Sequence, residues 1–151
     1  MTRYETIDIT KLVISGNYVE ILDKKMLDDF LNSIYSFHDW IITSINYLPG
    51  CKKVKMRNGE TVLNVLDDKR QLIVRFESYD DYVIELLFED TIKMELLPID
   101  PIYTTIIFEA NIKLNDGKFV FYKNADECEN NDLNTCKDTY IIAKRLKYRI
   151  I

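Results

Sequence analysis

His38 and Asp39 are the residues of this 151-residue chain whose types and spacing come nearest to chemistry. His38 is the only histidine, and it stands in the run Phe37-His38-Asp39-Trp40-Ile41-Ile42. An imidazole titrates near neutral pH, and a carboxylate that orients it supports general acid–base catalysis. Neighbours on a strand point to opposite faces, however. The competing reading is a histidine that ends a helix on backbone carbonyls, with Asp39 capping a turn. A nucleophilic serine or cysteine would need His38 as its base, and no GxSxG elbow is present. Cys51 follows Pro49-Gly50 in an expected turn, with nothing nearby in sequence to lower its pKa.

Two rows of cations form the second candidate: Lys53, Lys55, Arg57 and Arg145, Lys147, Arg149. Each alternates along an expected strand and so lines one sheet face. Adjacent to one another, they would receive an acidic partner. Alternatively they pair across strands with Glu77, Glu85, Glu89 and Glu95, where exposed pairs contribute only ~0–1 kcal/mol. The acidic stretch from Asn124 to Asn134 lacks the turn glycine of a calcium loop, so no metal site is expected. No glycine-rich phosphate loop occurs, and no cofactor is expected.

These residues must be positioned by a small set of elements. The apolar residues Met26, Leu27, Phe30, Leu31, Ile34 and Tyr35 recur at helical spacing between Lys24 and about Ser36. Asp23 suits the N-cap. After Asp39 the pattern changes to period two, the mark of strands with one buried face. Asn58-Gly59 predicts a two-residue hairpin that sets Arg57 opposite Glu60, Met56 opposite Thr61 and Val54 opposite Leu63. Val54, Met56, Leu63 and Val65 would then share a buried face. Leu72, Val74 and Phe76 should face Ile84, Leu86 and Phe88 across Ser78-Tyr79-Asp80-Asp81. A further turn at Glu89-Asp90 would return Ile92, Met94 and Leu96 onto Leu86 and Phe88. Asp116-Gly117 places Leu114 against Phe119 and Ile112 against Phe121.

The last strand, Thr139 to Ile151, should bury Tyr140, Ile142, Leu146, Tyr148 and Ile150, with Lys144 as an interruption. Pro98-Ile99-Asp100-Pro101 breaks the sheet. A short hairpin around Ser15-Gly16-Asn17 would join Leu12–Ile14 to Tyr18–Leu22. The expectation is a single α+β domain over residues 1–151. It is mostly an antiparallel β meander, curled or split into two layers, with one amphipathic helix packed on it.

Composition narrows the partners. A formal net charge of −5 opposes general nucleic-acid binding and attachment to anionic membranes. No apolar run approaches a membrane span, and the N-terminus lacks a signal-peptide core. Three cysteines without CxxC spacing point to a cytoplasmic protein with reduced thiols, and a Cys128–Cys136 bridge stays open. Plentiful Ile, Lys, Asn and Tyr suggest AT-rich coding, as in low-GC bacteria.

The F-H-D-x-x-I run, the following Ser44-Ile45-Asn46-Tyr47 and the ending Thr139-Tyr140-Ile141-Ile142-Ala143-Lys144-Arg145-Leu146-Lys147-Tyr148-Arg149 carry a resemblance. The chain resembles, over about residues 24–149, small uncharacterised bacterial proteins that share this helix-to-strand run and close on an aromatic-Ile-x-Ala-Lys strand. Some similar proteins are thought to be immunity proteins that bind and block a toxin. The resemblance implies a compact, mostly β, partner-binding protein and supplies no catalytic residue. Three functions are therefore expected candidates: a non-enzymatic protein-binding module, with an immunity-type inhibitor as one form; a small enzyme using His38; and a structural homodimer.

Overall fold

A computed structural model describes residues 16–66, 69–98, 106–124 and 136–151. Nine strands and one α-helix follow in the order β1 (Val19–Glu20), α1 (Lys24–Ser33), β2 (Ile41–Leu48), β3 (Cys51–Lys55), β4 (Thr61–Leu66), β5 (Gln71–Glu77), β6 (Val83–Glu95), β7 (Asn111–Asn115), β8 (Lys118–Tyr122) and β9 (Tyr140–Ile150). The described residues are thus mostly antiparallel sheet with one helix, as the patterning predicts. Seven strands form one open sheet in the order β2-β5-β6-β9-β8-β7, with β1 also paired to β9. The β3–β4 hairpin is a separate two-stranded sheet.

The helix starts where Asp23 Oδ1 accepts from the Met26 N–H at 2.8 Å, satisfying one orphan donor of the first turn. Its buried stripe is Leu27, Phe30 and Leu31, continued by Ile34. Tyr35, expected on that stripe, is 38% exposed, because the α-helix stops before it. A 3-10 turn, Tyr35–Phe37, takes over. The stripe packs with Phe76, Phe88 and Phe121 on one face of the sheet. Fully burying one such side chain stabilises by roughly 1.5–3 kcal/mol.

The β5–β6 register pairs Leu72 with Phe88, Val74 with Leu86 and Phe76 with Ile84, as expected. The β7–β8 hairpin also holds, with Leu114 opposite Phe119 and Ile112 opposite Phe121. Asp116 and Gly117 both have positive φ, 50° and 71°, which a two-residue type I′ turn demands.

Several expectations are overturned. The Asn58-Gly59 turn is a three-residue loop, with Lys55 opposite Thr61 and Val54 opposite Val62. Of its central residues only Gly59 has positive φ, 87°. Its N–H donates to the Met56 carbonyl at 3.0 Å, while Met56 N–H donates to Glu60 at 2.7 Å. Asn58 Oδ1 accepts from the Glu60 N–H instead of turning left-handed. A second irregularity opposite Lys53 restores the expected offset at Cys51 and Leu66. The expected buried face is not formed there: Met56 is 49% and Leu63 68% exposed.

There is no turn at Glu89-Asp90. β6 runs straight through, and Ile92 is a bulge against β9. β9 buries Leu146, Tyr148 and Ile150 as predicted, but Ile141 and Ala143 join them in the main core. Tyr140 and Ile142 turn to a second cluster with Tyr122 and Val120. The changeover falls at Lys144, opposite Asp90, whose φ of 52° twists β6.

Cys51 is free and exposed, but Cys136 is disulfide-bonded. Cys136 thus follows the bridged alternative that the sequence left open, while Cys51 keeps the expected free thiol. Cys128, the acidic stretch beyond Asn124, Leu12–Ile14 and Ile99–Pro101 lie outside the described residues. No helix among the described residues is long and apolar enough to cross a membrane.

Candidate binding surface

The segment carrying His38 is shaped by three consecutive left-handed residues: Tyr35 (φ 55°), Ser36 (φ 49°) and Phe37 (φ 57°). None is glycine, and each such residue costs roughly 1–2 kcal/mol. Packing offsets the cost. Phe37 and Trp40 are fully buried. The Phe37 ring stacks on Phe76 at 4.1 Å and meets Trp40 edge-on at 5.5 Å. Backbone bonds tie the turn to a distant strip of chain: Asp39 N–H to the Ile107 carbonyl at 3.0 Å, and Ala110 N–H to the Ser36 carbonyl at 2.9 Å.

His38 and Asp39 emerge from this turn half-exposed. They sit in a turn rather than a strand, so the opposite-faces argument fails and the two side chains meet, His38 Nε2 to Asp39 Oδ2 at 3.5 Å. The other ring nitrogen, Nδ1, is bonded to the Phe108 carbonyl oxygen. A carbonyl only accepts, so Nδ1 carries the proton. His38 is thus tethered by one nitrogen and faces a carboxylate with the other. Part of the structural reading holds, in the carbonyl contact. The expectation that the pair separates in space does not. Phe108 itself is 67% exposed beside it. Among the described residues no group of three His, Cys, Asp or Glu side chains could hold a metal ion.

The two cationic rows are not brought together. The β9 row lies on the sheet face away from α1 and is neutralised there. Arg149 donates through Nε and Nη2 to Glu85 Oε1 at 3.0 and 2.6 Å, and its guanidinium lies 4.6 Å from the Tyr18 ring centre. Lys147 Nζ is 2.6 Å from Glu89 Oε1. Arg145 reaches Asp90 at 3.2 Å and Glu89 at 3.9 Å. So Glu85 and Glu89 take the pairing role expected of them, Asp90 joins, and Glu77 and Glu95 do not.

Glu89 is the buried centre of that face, 1% exposed. Burial raises its pKa, yet hydrogen bonds from Lys147 and Gln71 and the charges of Lys147 and Arg145 outweigh it. The net effect holds the carboxyl below the usual carboxylate value. Burial, and next the Glu85 charge, push the Tyr18 hydroxyl upward while Arg149 opposes. Tyr18 carries its hydroxyl buried without a hydrogen-bond partner, as Trp40 does its indole N–H.

The other row has no such neutralisation. Lys53, Lys55 and Arg57 lie exposed on the β3–β4 arm and make no ion pair among the described residues. Segment 51–60 holds four of the chain's 20 Lys and Arg residues and one of its 25 carboxylates. The arm therefore stands at about +3 and the rest of the chain at about −8, on residue charges at neutral pH. Met56, Val62 and Leu63 give it exposed apolar surface beside those cations.

Sequence reasoning missed the Tyr18–Arg149 contact, the Gln71–Glu89 bond at 3.3 Å and the exposed Phe108. The only legible signal for Glu89 was its place in the alternation of β6, where Ile84, Leu86 and Phe88 mark the core face. Compared with protein-family models, with curated proteins and with solved structures, the chain matches none.

Proposed function

We propose that this protein is a non-enzymatic binding module whose β3–β4 arm docks on an acidic protein surface. The observation that carries the reading is the contrast in neutralisation. One cationic row is held by its own carboxylates, and the other is displayed on a separate two-stranded sheet. A lone two-stranded hairpin is marginally stable in water, so displaying one has a cost that docking would offset. Charge complementarity speeds encounter and selects partners more than it adds affinity. An immunity-type inhibitor that blocks a toxin is one form of this activity, in line with the F-H-D-x-x-I resemblance.

The test is a photo-crosslinking amino acid in place of the exposed Met56, in the organism that encodes the chain. The expected result is an adduct with a protein bearing an acidic surface, lost when Lys53, Lys55 and Arg57 are all changed to Glu. Adducts that survive this reversal, or none at all, overturn the reading.

A second reading, a small enzyme using His38 as acid or base, draws on the His38–Asp39 approach. It requires turnover that disappears in His38→Ala while the fold persists.

A further inference from the structure

We propose that two copies of this chain join through their β2 strands, edge to edge and antiparallel, so that the basic arm of each lies on the acidic end of the other. The inference rests on the arm as a docking element and names what it docks on.

The first observation is the edge. β2 closes one side of the seven-stranded sheet and runs eight residues, Ile41–Leu48. None of them is charged. Its outer side meets no partner among the described residues, and Ile41, Ile45, Tyr47 and Leu48 are 37–46% exposed. Proteins normally blunt such edges with charge, proline or brevity. The opposite edge follows that rule, since β7 is five residues long and carries Lys113. On β2 only a bulge at Thr43 interrupts the ladder.

The second observation is charge placed at the two ends of that edge. Leu48 pairs with Gln71, and from there the chain passes through Pro49-Gly50 into the arm that carries Lys53, Lys55 and Arg57. Ile41 pairs with Glu77, and beyond it lie Asp39, Asp80 and Asp81. Asp39, Asp80 and Asp81 are exposed. An eight-residue strand spans roughly 23 Å, more than two Debye lengths at physiological salt. Within one chain the two ends therefore cannot neutralise each other.

A two-fold axis through the middle of β2 removes both problems together. It sets each strand against itself reversed, so the uncharged residues meet no like charge. Leu48 of one copy then lies beside Ile41 of the other. The arm that leaves Leu48 thus passes the second copy's Asp39, Glu77, Asp80 and Asp81. A foreign strand would satisfy the edge but would have to bring its own acidic end. A second copy brings it by symmetry.

The mass of the full chain is measured by sedimentation and light scattering over a wide concentration range. The expected species is a dimer, at twice 17.9 kDa. Ile45→Lys should give monomers. Because that change could also disturb folding, charge reversal away from β2 provides an independent check. Lys53→Glu with Lys55→Glu and Arg57→Glu should raise the dimer dissociation constant about tenfold. Glu77→Lys with Asp80→Lys and Asp81→Lys should do the same. All six changes in one chain should restore the dimer.

Monomers throughout for the unaltered chain overturn the inference, as does a dimer indifferent to both reversals. If the chain is a monomer while Met56 still crosslinks to an acidic protein, this inference fails and the docking role of the arm survives. If the arm reversals change neither the dimer nor the crosslinks, both fail.

Discussion

The two cationic rows each set three Lys or Arg residues at every second position, yet they end in opposite circumstances. On β9, Arg145, Lys147 and Arg149 face Glu85, Glu89 and Asp90 across a strand pair inside a seven-stranded sheet. On the arm, Lys53, Lys55 and Arg57 have only a two-stranded hairpin beneath them. The difference lies in the neighbours. A central strand brings acidic side chains from its partner within reach and removes water around them. The arm pairs only within its own two-stranded sheet, and among the described residues no carboxylate pairs with Lys53, Lys55 or Arg57. A cationic row is therefore structural in one place and available for docking in the other, and only the surrounding strands decide which.

The sharpest way to break this contrast is Lys147→Met. It removes the closest cation from buried Glu89 and leaves Gln71 and the more distant Arg145. Removing one partner of a buried pair costs about 3–5 kcal/mol, read as a lowered urea midpoint. A loss below about 1 kcal/mol, the level of an exposed pair, would make the β9 row no different from the arm. Adding Glu89→Leu to Lys147→Met should recover most of the loss, because no uncompensated charge is then left.

Acid titration sharpens the same point. The Glu89 carboxyl is held below its unfolded value, so the unfolded chain binds the proton more readily. Its contribution is complete above the unfolded value near 4.5 and is lost as pH falls toward the lower folded value. Stability of the unaltered chain measured by denaturation across that window should drop more steeply than that of Glu89→Gln. Equal slopes would mean that Glu89 is not the group held by the β9 row.

His38→Ala lies outside both rows. It removes the bond to the Phe108 carbonyl, expected to cost about 1 kcal/mol by thermal unfolding. A loss several times larger would tie His38 to the packing of the left-handed turn. Smallest of all should be Lys53→Gln with Lys55→Gln and Arg57→Gln. Each exposed change should shift stability by no more than about 0.5 kcal/mol, while the salt dependence of any docking weakens. A large loss of stability would show that the arm's charges are structural after all.

Much of the fold was legible in local chemistry. Asp23 announces its helix because a short carboxylate reaches the orphan N–H of Met26. Asp116-Gly117 announces its turn because both residues tolerate positive φ. Leu72, Val74 and Phe76 find Ile84, Leu86 and Phe88 because a one-residue slip would turn both rows outward. Glu89-Asp90 misled because two adjacent carboxylates look like a solvated turn. Glu89 stays in the strand only because Lys147 and Gln71 arrive from elsewhere in the chain. Tyr35-Ser36-Phe37 gave no sign of left-handed backbone, since none of the three is glycine or asparagine. The buried rings of Phe37 and Trp40 impose it.

Read alone, the amino-acid order determined the element types, the turns at Ser78-Tyr79-Asp80-Asp81 and Asp116-Gly117, and the core-facing rows of β5, β6, β7 and β8, because these follow from periodicity and from single-residue backbone preferences. The tertiary structure decided that His38 and Asp39 meet, that one cationic row is neutralised while the other is displayed, and that β2 is left at an open edge. Those outcomes depend on contacts between residues far apart in the chain, where burial and charge are set by whichever strands become neighbours.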